Sequence, residues 1–215
     1  MAAGRGARMA PLTDDIPKPM APYGDSTLIA KGIHRLTDRV ENIYVTVGYK
    51  KAMLAQHVIE HGANAVFNTE DKGNSWWIYN TLMRHFDEPI CVLTADNVVD
   101  LDFDLIEEDY KLLKEPHCML VPVKPVKGLE GDYIFHESSV VTKLSRHEPR
   151  EMYCSGIQIL NPKKINETTE ASEDFYAVWQ QLIAKHQLMM CSAYPKKWFT
   201  VDTIEQLAFL NNSTF

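Results

Sequence analysis

Gly4, Arg5, Gly6, Arg8 and Lys18 fall within the first 22 residues of this chain, with Lys18 set between Pro17 and Pro19. Glycines let backbone N–H groups approach an anion closely, because no Cβ stands in the way and a positive φ costs little. Arg8 offers a planar fork of donors to phosphate oxygens, and Lys18 a point charge on a stem that the flanking prolines position. A turn-rich loop of this composition suits a triphosphate. A lysine so placed in a loop has no evident packing role, so the sequence predicts that its loss leaves the fold intact.

Two acids stand at places where chemistry is available. Leu93-Thr94-Ala95-Asp96-Asn97 follows the run Ile90-Cys91-Val92-Leu93, apolar at every position, which predicts a strand covered on both faces with Asp96 at its carboxyl end. That position makes Asp96 a metal-ligand candidate, although Asx chemistry taken in isolation favours a turn-capping aspartate. Trp198-Phe199-Thr200-Val201-Asp202-Thr203 is a short strand ending in an acid before a helical pattern, where Asp202 is a natural helix cap. Asp100, Asp102 and Asp104 read as a solvated loop and the start of the next helix.

The first residues, written A-A-G-x-G-x-R-M-x-P-L-T-x-x-x-P-K-P, resemble the signature of the nucleotidyltransferases that activate sugar 1-phosphates and, in related members, phosphocholine. No G-K-[ST] follows and no third glycine completes G-x-G-x-x-G, so the loop matches neither a P-loop nor a dinucleotide fingerprint. The resemblance implies an enzyme that moves a nucleoside monophosphate from a nucleoside triphosphate to a phosphorylated small-molecule acceptor. It implies Arg8 and Lys18 as catalytic residues, Mg²⁺ held by Asp96 and Asp202, and nucleotide contacts from Ala2, Ala3, Gly4, Gly6, Asn68 and Asn74. Asp202 sits in a segment similar to the family's W-x-x-[VI]-D-T. Glu148-Pro149 and Cys154-Ser155-Gly156-Ile157 resemble the acceptor-binding elements, which implies Glu148, Ser155 and Gly156 at the acceptor, although the lysine of E-K-P is absent. Gly73-Asn74-Ser75-Trp76-Trp77 stands where the resembling proteins carry either a Gly-rich segment, in the sugar members, or an Asn-aromatic segment, in the phosphocholine cytidylyltransferases; adjacent tryptophans suit a base or a quaternary ammonium, or the core. The rival expectation from another class is a non-catalytic module that binds nucleotide or a protein partner.

Composition limits the alternatives. A chain of 215 residues, 45% hydrophobic, is sized for one domain spanning 1-215. Its formal net charge of -7 argues against a nucleic-acid backbone as partner, while a local cationic pocket still accommodates a small phosphorylated ligand. No run approaches the roughly twenty apolar residues of a membrane span, and no signal-peptide core is present, so a cytoplasmic location is expected; the oligomeric state is left open. Cys91, Cys118, Cys154 and Cys191 are far apart and read as buried reduced thiols. His57-Val58-Ile59-Glu60-His61 matches the inverted zinc-peptidase motif, a reading that leaves the phosphate loop without a role.

The elements that must position these residues follow from periodicity. Leu28, Ile29, Ile33 and Leu36 recur at helical spacing, with Asp25 or Ser26 expected as cap; Ile43 to Val47 is a strand, Met53 to Ile59 a helix ending at Gly62, and Ala65 to Phe67 a strand. One helix is expected over Trp77 to Phe86. Alternation of this kind predicts an α/β, Rossmann-like, mostly parallel sheet with helices on both faces. Strand-like pieces at 119–123, 133–136, 140–144 and 156–160 predict a small additional antiparallel sheet, and helices are expected over 105–113, 174–186 and 204–210 with a strand at 188–194. The resembling proteins have a central strand directly before the A-A-G loop. That first central strand is missing from the chain start, so upstream sequence of about five apolar, β-branched residues is expected.

Overall fold

The computed structural model describes residues 1–129 and 131–213. In chain order the first elements are α1 (Leu12–Asp15), β1 (Pro22–Tyr23), β2 (Ser26–Thr27), α2 (Leu28–Thr37), β3 (Tyr44–Val47), α3 (Lys51–Glu60) and β4 (Ala65–Asn68). Next come α4 (Trp76–Asn80), β5 (Ile90–Val92), β6 (Asn97–Val99), α5 (Phe103–Leu112), β7 (Cys118–Val123), β8 (Asp132–Glu137), β9 (Val140–Ser145) and β10 (Tyr153–Leu160). The chain closes with α6 (Pro162–Thr168), α7 (Phe175–Ala184), β11 (Leu188–Met190), β12 (Trp198–Thr200) and α8 (Ile204–Asn212). The single domain expected from chain length is built as two compact units: Met1–Lys72 with Thr94–Val98 and the chain from Phe199, and Gly73–Leu93 with Val99–Trp198.

In the first unit β3 and β4 pair in parallel, Tyr44 opposite Ala65 through Val47 opposite Asn68. The apolar stripe foreseen for α2 is the one that packs: Ile29 and Ile33 join Val45, Val47, Leu54, Val58 and Ala63 in one core, with Leu36 against it. Full burial of a side chain of this size removes it from water at a gain of about 1.5–3 kcal/mol. The cap of α2 is Thr27, whose side chain accepts from the Ala30 N–H at 3.2 Å, and not Asp25 or Ser26. The reason lies in β1 and β2, an unforeseen hairpin that holds Ser26 in strand register with Tyr23. Asn211 of α8 clamps this hairpin, accepting from the Gly24 N–H at 2.8 Å and donating to the Pro22 carbonyl at 3.1 Å.

The second unit carries a six-stranded sheet in the order β5-β10-β7-β11-β9-β8. β7 and β11 are parallel, and β10 runs antiparallel to β5, β7 and β8. Every residue of β7 is buried. β5, expected to be covered on both faces, buries only Val92 fully, because it lies at an edge of its sheet. The helix expected over Trp77 to Phe86 breaks at Thr81, whose hydroxyl donates back to the Trp77 carbonyl and caps a 3₁₀ turn over Leu82–His85. The strand expected over 188–194 is confined to Leu188–Met190, and α6, capped by Asn161 with Pro162 at its first position, was not foreseen.

Cys118, Cys154 and Cys191 are buried as the sequence predicts, whereas Cys91, on the edge strand β5, is half-buried; all four are free. Burial pushes the Cys91, Cys154 and Cys191 thiols up to about 12, which makes them poor nucleophiles. No helix among the described residues is long and apolar enough to cross a membrane.

Candidate active site

The first residues run alongside β3. Ala2 N–H donates to the Thr46 carbonyl at 3.1 Å, Tyr49 N–H to the Ala3 carbonyl at 3.0 Å, and Ala95 N–H to the Met1 carbonyl at 2.9 Å. Beyond Ala3 the chain leaves this register and Gly4 and Arg5 are exposed. A Cβ built on Gly4 would meet nothing within 4 Å, so its flank is open to a ligand. Gly6 turns the chain with φ 68° into a 3₁₀ turn over Ala7–Met9. The turn is tied down from behind by Thr13, which is 1% exposed and donates to the Gly6 carbonyl at 3.1 Å, and by the Tyr49 hydroxyl, which donates to the Thr13 carbonyl at 2.9 Å. Tyr49 was not singled out in the sequence; nothing local marks it.

Lys18 opens a second 3₁₀ turn, Lys18–Met20, between buried Pro17 and Pro19. Its ammonium lies 2.7 Å from Oδ2 of Asp96 and 2.7 Å from Oδ1 of Asp202. The two carboxylate oxygens are therefore at most twice that distance apart. Arg8 reaches the same Oδ1 of Asp202 at 3.1 Å from a more exposed position. Arg5 is turned elsewhere, toward Asp14 at 3.8 Å and the face of the Tyr49 ring.

The acids are placed by the β6–β12 pair. Asp96 immediately precedes β6, Asp202 lies just past β12, and the Val201 N–H donates to the Asp96 carbonyl at 3.0 Å. Burial alone would push the Asp96 carboxyl up. The Lys18 charge and its hydrogen bond outweigh that, with Thr94 assisting, and hold the group below its ordinary value. Asp202 does not cap α8. That role belongs to Thr203, which accepts from the Gln206 N–H while Gln206 reaches back, and Asp202 N–H donates to Gln206 at 2.6 Å. Its carboxylate is thus left for Lys18 and Arg8.

Arg8, Lys18, Asp96, Asp202, Ala2, Ala3, Gly4 and Gly6 all belong to the first unit, as does Asn68. Asn68 is exposed at the end of β4, and its amide oxygen accepts from the Glu70 N–H at 3.1 Å. Asn74, Glu148, Ser155 and Gly156 belong to the second unit. Asn74 accepts from the Phe175 N–H at 2.8 Å, Ser75 donates to the Ser172 carbonyl at 2.7 Å, and Trp77 is buried against Phe175. The Gly73–Trp77 segment is thereby docked on the start of α7, and Trp77 is core. Glu148 is exposed and paired with Lys143, which draws its carboxyl below the ordinary value. Ser155 and Gly156 lie in β10 where its register against β7 shifts between Cys154 and Gln158.

His57 and Glu60 have separate hydrogen-bond partners. The His57 ring faces the Thr27 hydroxyl at 2.8 Å and Glu60 accepts from Gln56 at 2.8 Å. No group of three metal-ligating side chains of the zinc-peptidase kind occurs among the described residues. Two carboxylates near one another, with space on an open glycine loop, are by contrast a fitting oxygen-donor set for Mg²⁺, which commonly takes one or two carboxylates and completes its shell with substrate phosphates and water.

The model of the family described as nucleotidyl transferase matches residues 1–213. Among curated proteins the chain is 29% identical over 112 residues to the bifunctional protein GlmU of Methanococcus aeolicus, covering 52% of this chain and 27% of that protein. It is 32% identical over 103 residues to the UTP–glucose-1-phosphate uridylyltransferase AglF of Haloferax volcanii, covering 46% and 42%. The chain thus spans less than half the length of these relatives. Its fold is similar to that of the CTP:phosphocholine cytidylyltransferase LicC of Streptococcus pneumoniae, with a TM-score of 0.75 at 18% identity over 98% of this chain and 95% of that one.

Proposed function

Since this chain belongs to the nucleotidyl transferase family, we propose that it transfers a nucleoside monophosphate from a nucleoside triphosphate to a sugar 1-phosphate or a small alcohol phosphate. The observation that carries this reading is the Lys18 ammonium held between Asp96 and Asp202, with Arg8 on the same carboxylate and an open glycine turn alongside. Uridylyl and cytidylyl transfer, in the names of AglF and LicC, support the reaction type and the range of acceptors. The match over residues 1–213 supports reading the two units as one catalytic domain.

In this reading an acceptor phosphate oxygen attacks the α-phosphorus, the bond from that phosphorus to the bridging oxygen breaks, and pyrophosphate leaves with the electron pair. No covalent intermediate with the protein is required. The backbone N–H groups around Gly4 and Gly6 hold phosphate oxygens. Arg8 and Lys18 supply positive charge where negative charge builds on the departing group. Asp96 and Asp202 would hold Mg²⁺. When bound, that ion would supply further neutralisation of the triphosphate.

Pyrophosphate release tests the reading. The full chain is incubated with each of the common nucleoside triphosphates, Mg²⁺ and a mixed pool of sugar 1-phosphates and alcohol phosphates. Release with one nucleotide, dependent on an acceptor and abolished by chelation, is the expected result. Tight nucleotide binding with no release under any combination would favour the non-catalytic module.

A further inference from the structure

Two cations and two carboxylates meet in this site, so its formal charge closes to zero without any ligand: Lys18 bonds both acids and Arg8 shares Asp202. Lys18 is also the more enclosed cation, its side chain 12% exposed against 61% for Arg8. We propose that Lys18 is a built-in placeholder for the divalent cation, a latch that keeps Asp96 and Asp202 from taking a metal ion until the nucleotide draws the ammonium away. The proposal rests on the transferase reading and adds to it an order of events.

The geometry leaves little choice. Both carboxylate oxygens that face the ammonium lie 2.7 Å from it, within direct hydrogen-bond reach. An ion coordinated by those same oxygens would stand against a like charge, and like charges this close in a partly enclosed site repel strongly. The ammonium must therefore leave for the ion to enter. Ion entry alone would also turn a neutral cluster strongly positive.

A triphosphate changes that balance. It carries more negative charge than the ion carries positive, and its oxygens give Lys18 an alternative partner on the same side of the glycine turn. Lys18 then moves from carboxylate to phosphate as the carboxylates become free. Nucleotide and metal should each raise the other's affinity, since a coupling between two ligands is reciprocal. The protein in this state resists occupation by free divalent ions and takes the ion together with its substrate.

The test uses Mn²⁺ alone as probe, titrated into the nucleotide-free full chain and followed by electron paramagnetic resonance. Lys18→Met is expected to bind Mn²⁺ roughly tenfold or more tightly than the unmodified protein, because the apparent affinity is lowered by the fraction of sites that the lysine holds closed. Adding Asp96→Asn should abolish that gain. Equal affinities in the unmodified protein and Lys18→Met, or a gain that survives Asp96→Asn, would overturn the latch.

A second measurement needs no variant and covers the case in which Lys18→Met fails to fold. Acylation of the Lys18 amine by a lysine-directed ester, read by mass spectrometry, should accelerate along the Mn²⁺ titration curve; a flat rate across saturation would overturn the proposal. Pyrophosphate release by the unmodified protein tests the underlying reading separately. Equal Mn²⁺ affinities with release intact remove the latch and leave the transferase standing.

Discussion

Gly6 makes room for the stem of Lys18: a Cβ built on Gly6 would lie 2.6 Å from Cβ of Lys18 and 2.9 Å from its Cδ. The glycine therefore does two things at once. It adopts φ 68°, which L side chains rarely take, and it sets where the lysine stem can pass.

Gly6→Ala is expected to lose about 1–2 kcal/mol from backbone strain, lowering the melting temperature by a few degrees in a chain of this size. Turnover should fall more than stability does, by about a hundredfold, since a displacement of about 1 Å at a charged group is enough for that. Calorimetry beside a pyrophosphate-release assay separates the two effects. Full activity in the variant would mean the Lys18 stem has slack that the geometry denies it.

Lys18→Ala should abolish turnover and also cost stability, about 1–2 kcal/mol for a pair network that is only partly enclosed. The sequence predicts no cost for this lysine, but the structure shows it bridging two like charges and neutralising their repulsion. Removing it leaves Asp96 and Asp202 near one another, with Arg8 still on Asp202 and Thr94 on Asp96. The difference in denaturation midpoint from the unmodified protein is the measurement. Identical midpoints would show that the ammonium contributes nothing to folding.

His57 is harder to protonate in the folded protein than its ordinary value of 6.5, chiefly through burial and secondly through His61, with Glu60 opposing. His117 is shifted the same way by burial and by Lys164. The unfolded chain thus binds these protons more readily, so stability is complete above the ordinary value and is lost as pH falls below it. Melting temperature should drop between about pH 7.5 and about pH 5.5, and His57→Gln should shallow that drop. An unchanged slope in the variant would remove His57 as a source of the dependence.

Asn74→Ala is expected to destabilise by about 1 kcal/mol, since it removes the acceptor of a part-buried backbone N–H at Phe175. Gly73 shows how closely the two segments approach: a Cβ there would come within 1.9 Å of the Glu173 carbonyl oxygen. A raised KM for nucleotide at unchanged melting temperature would instead put the Asn74 side chain on the ligand.

What was legible in the sequence is what is written locally. Ile29, Ile33 and Leu36 repeat at the helical period, and that period alone selects the face of α2 that joins the core. The glycine-arginine turn and the lysine between prolines are likewise local, so residue types and spacing were enough to single them out. Only the tertiary structure decided what those groups face. Lys18 stands 78 positions from Asp96 and 184 from Asp202, and no local rule says that all three meet. The docking of Asn74 on α7 and the hairpin that makes Thr27 the cap are of the same kind. Such contacts follow from the packing of whole elements, in which many small burial and hydrogen-bond gains together outweigh the entropy of closing long loops. That sum belongs to the folded chain and to no single stretch of it.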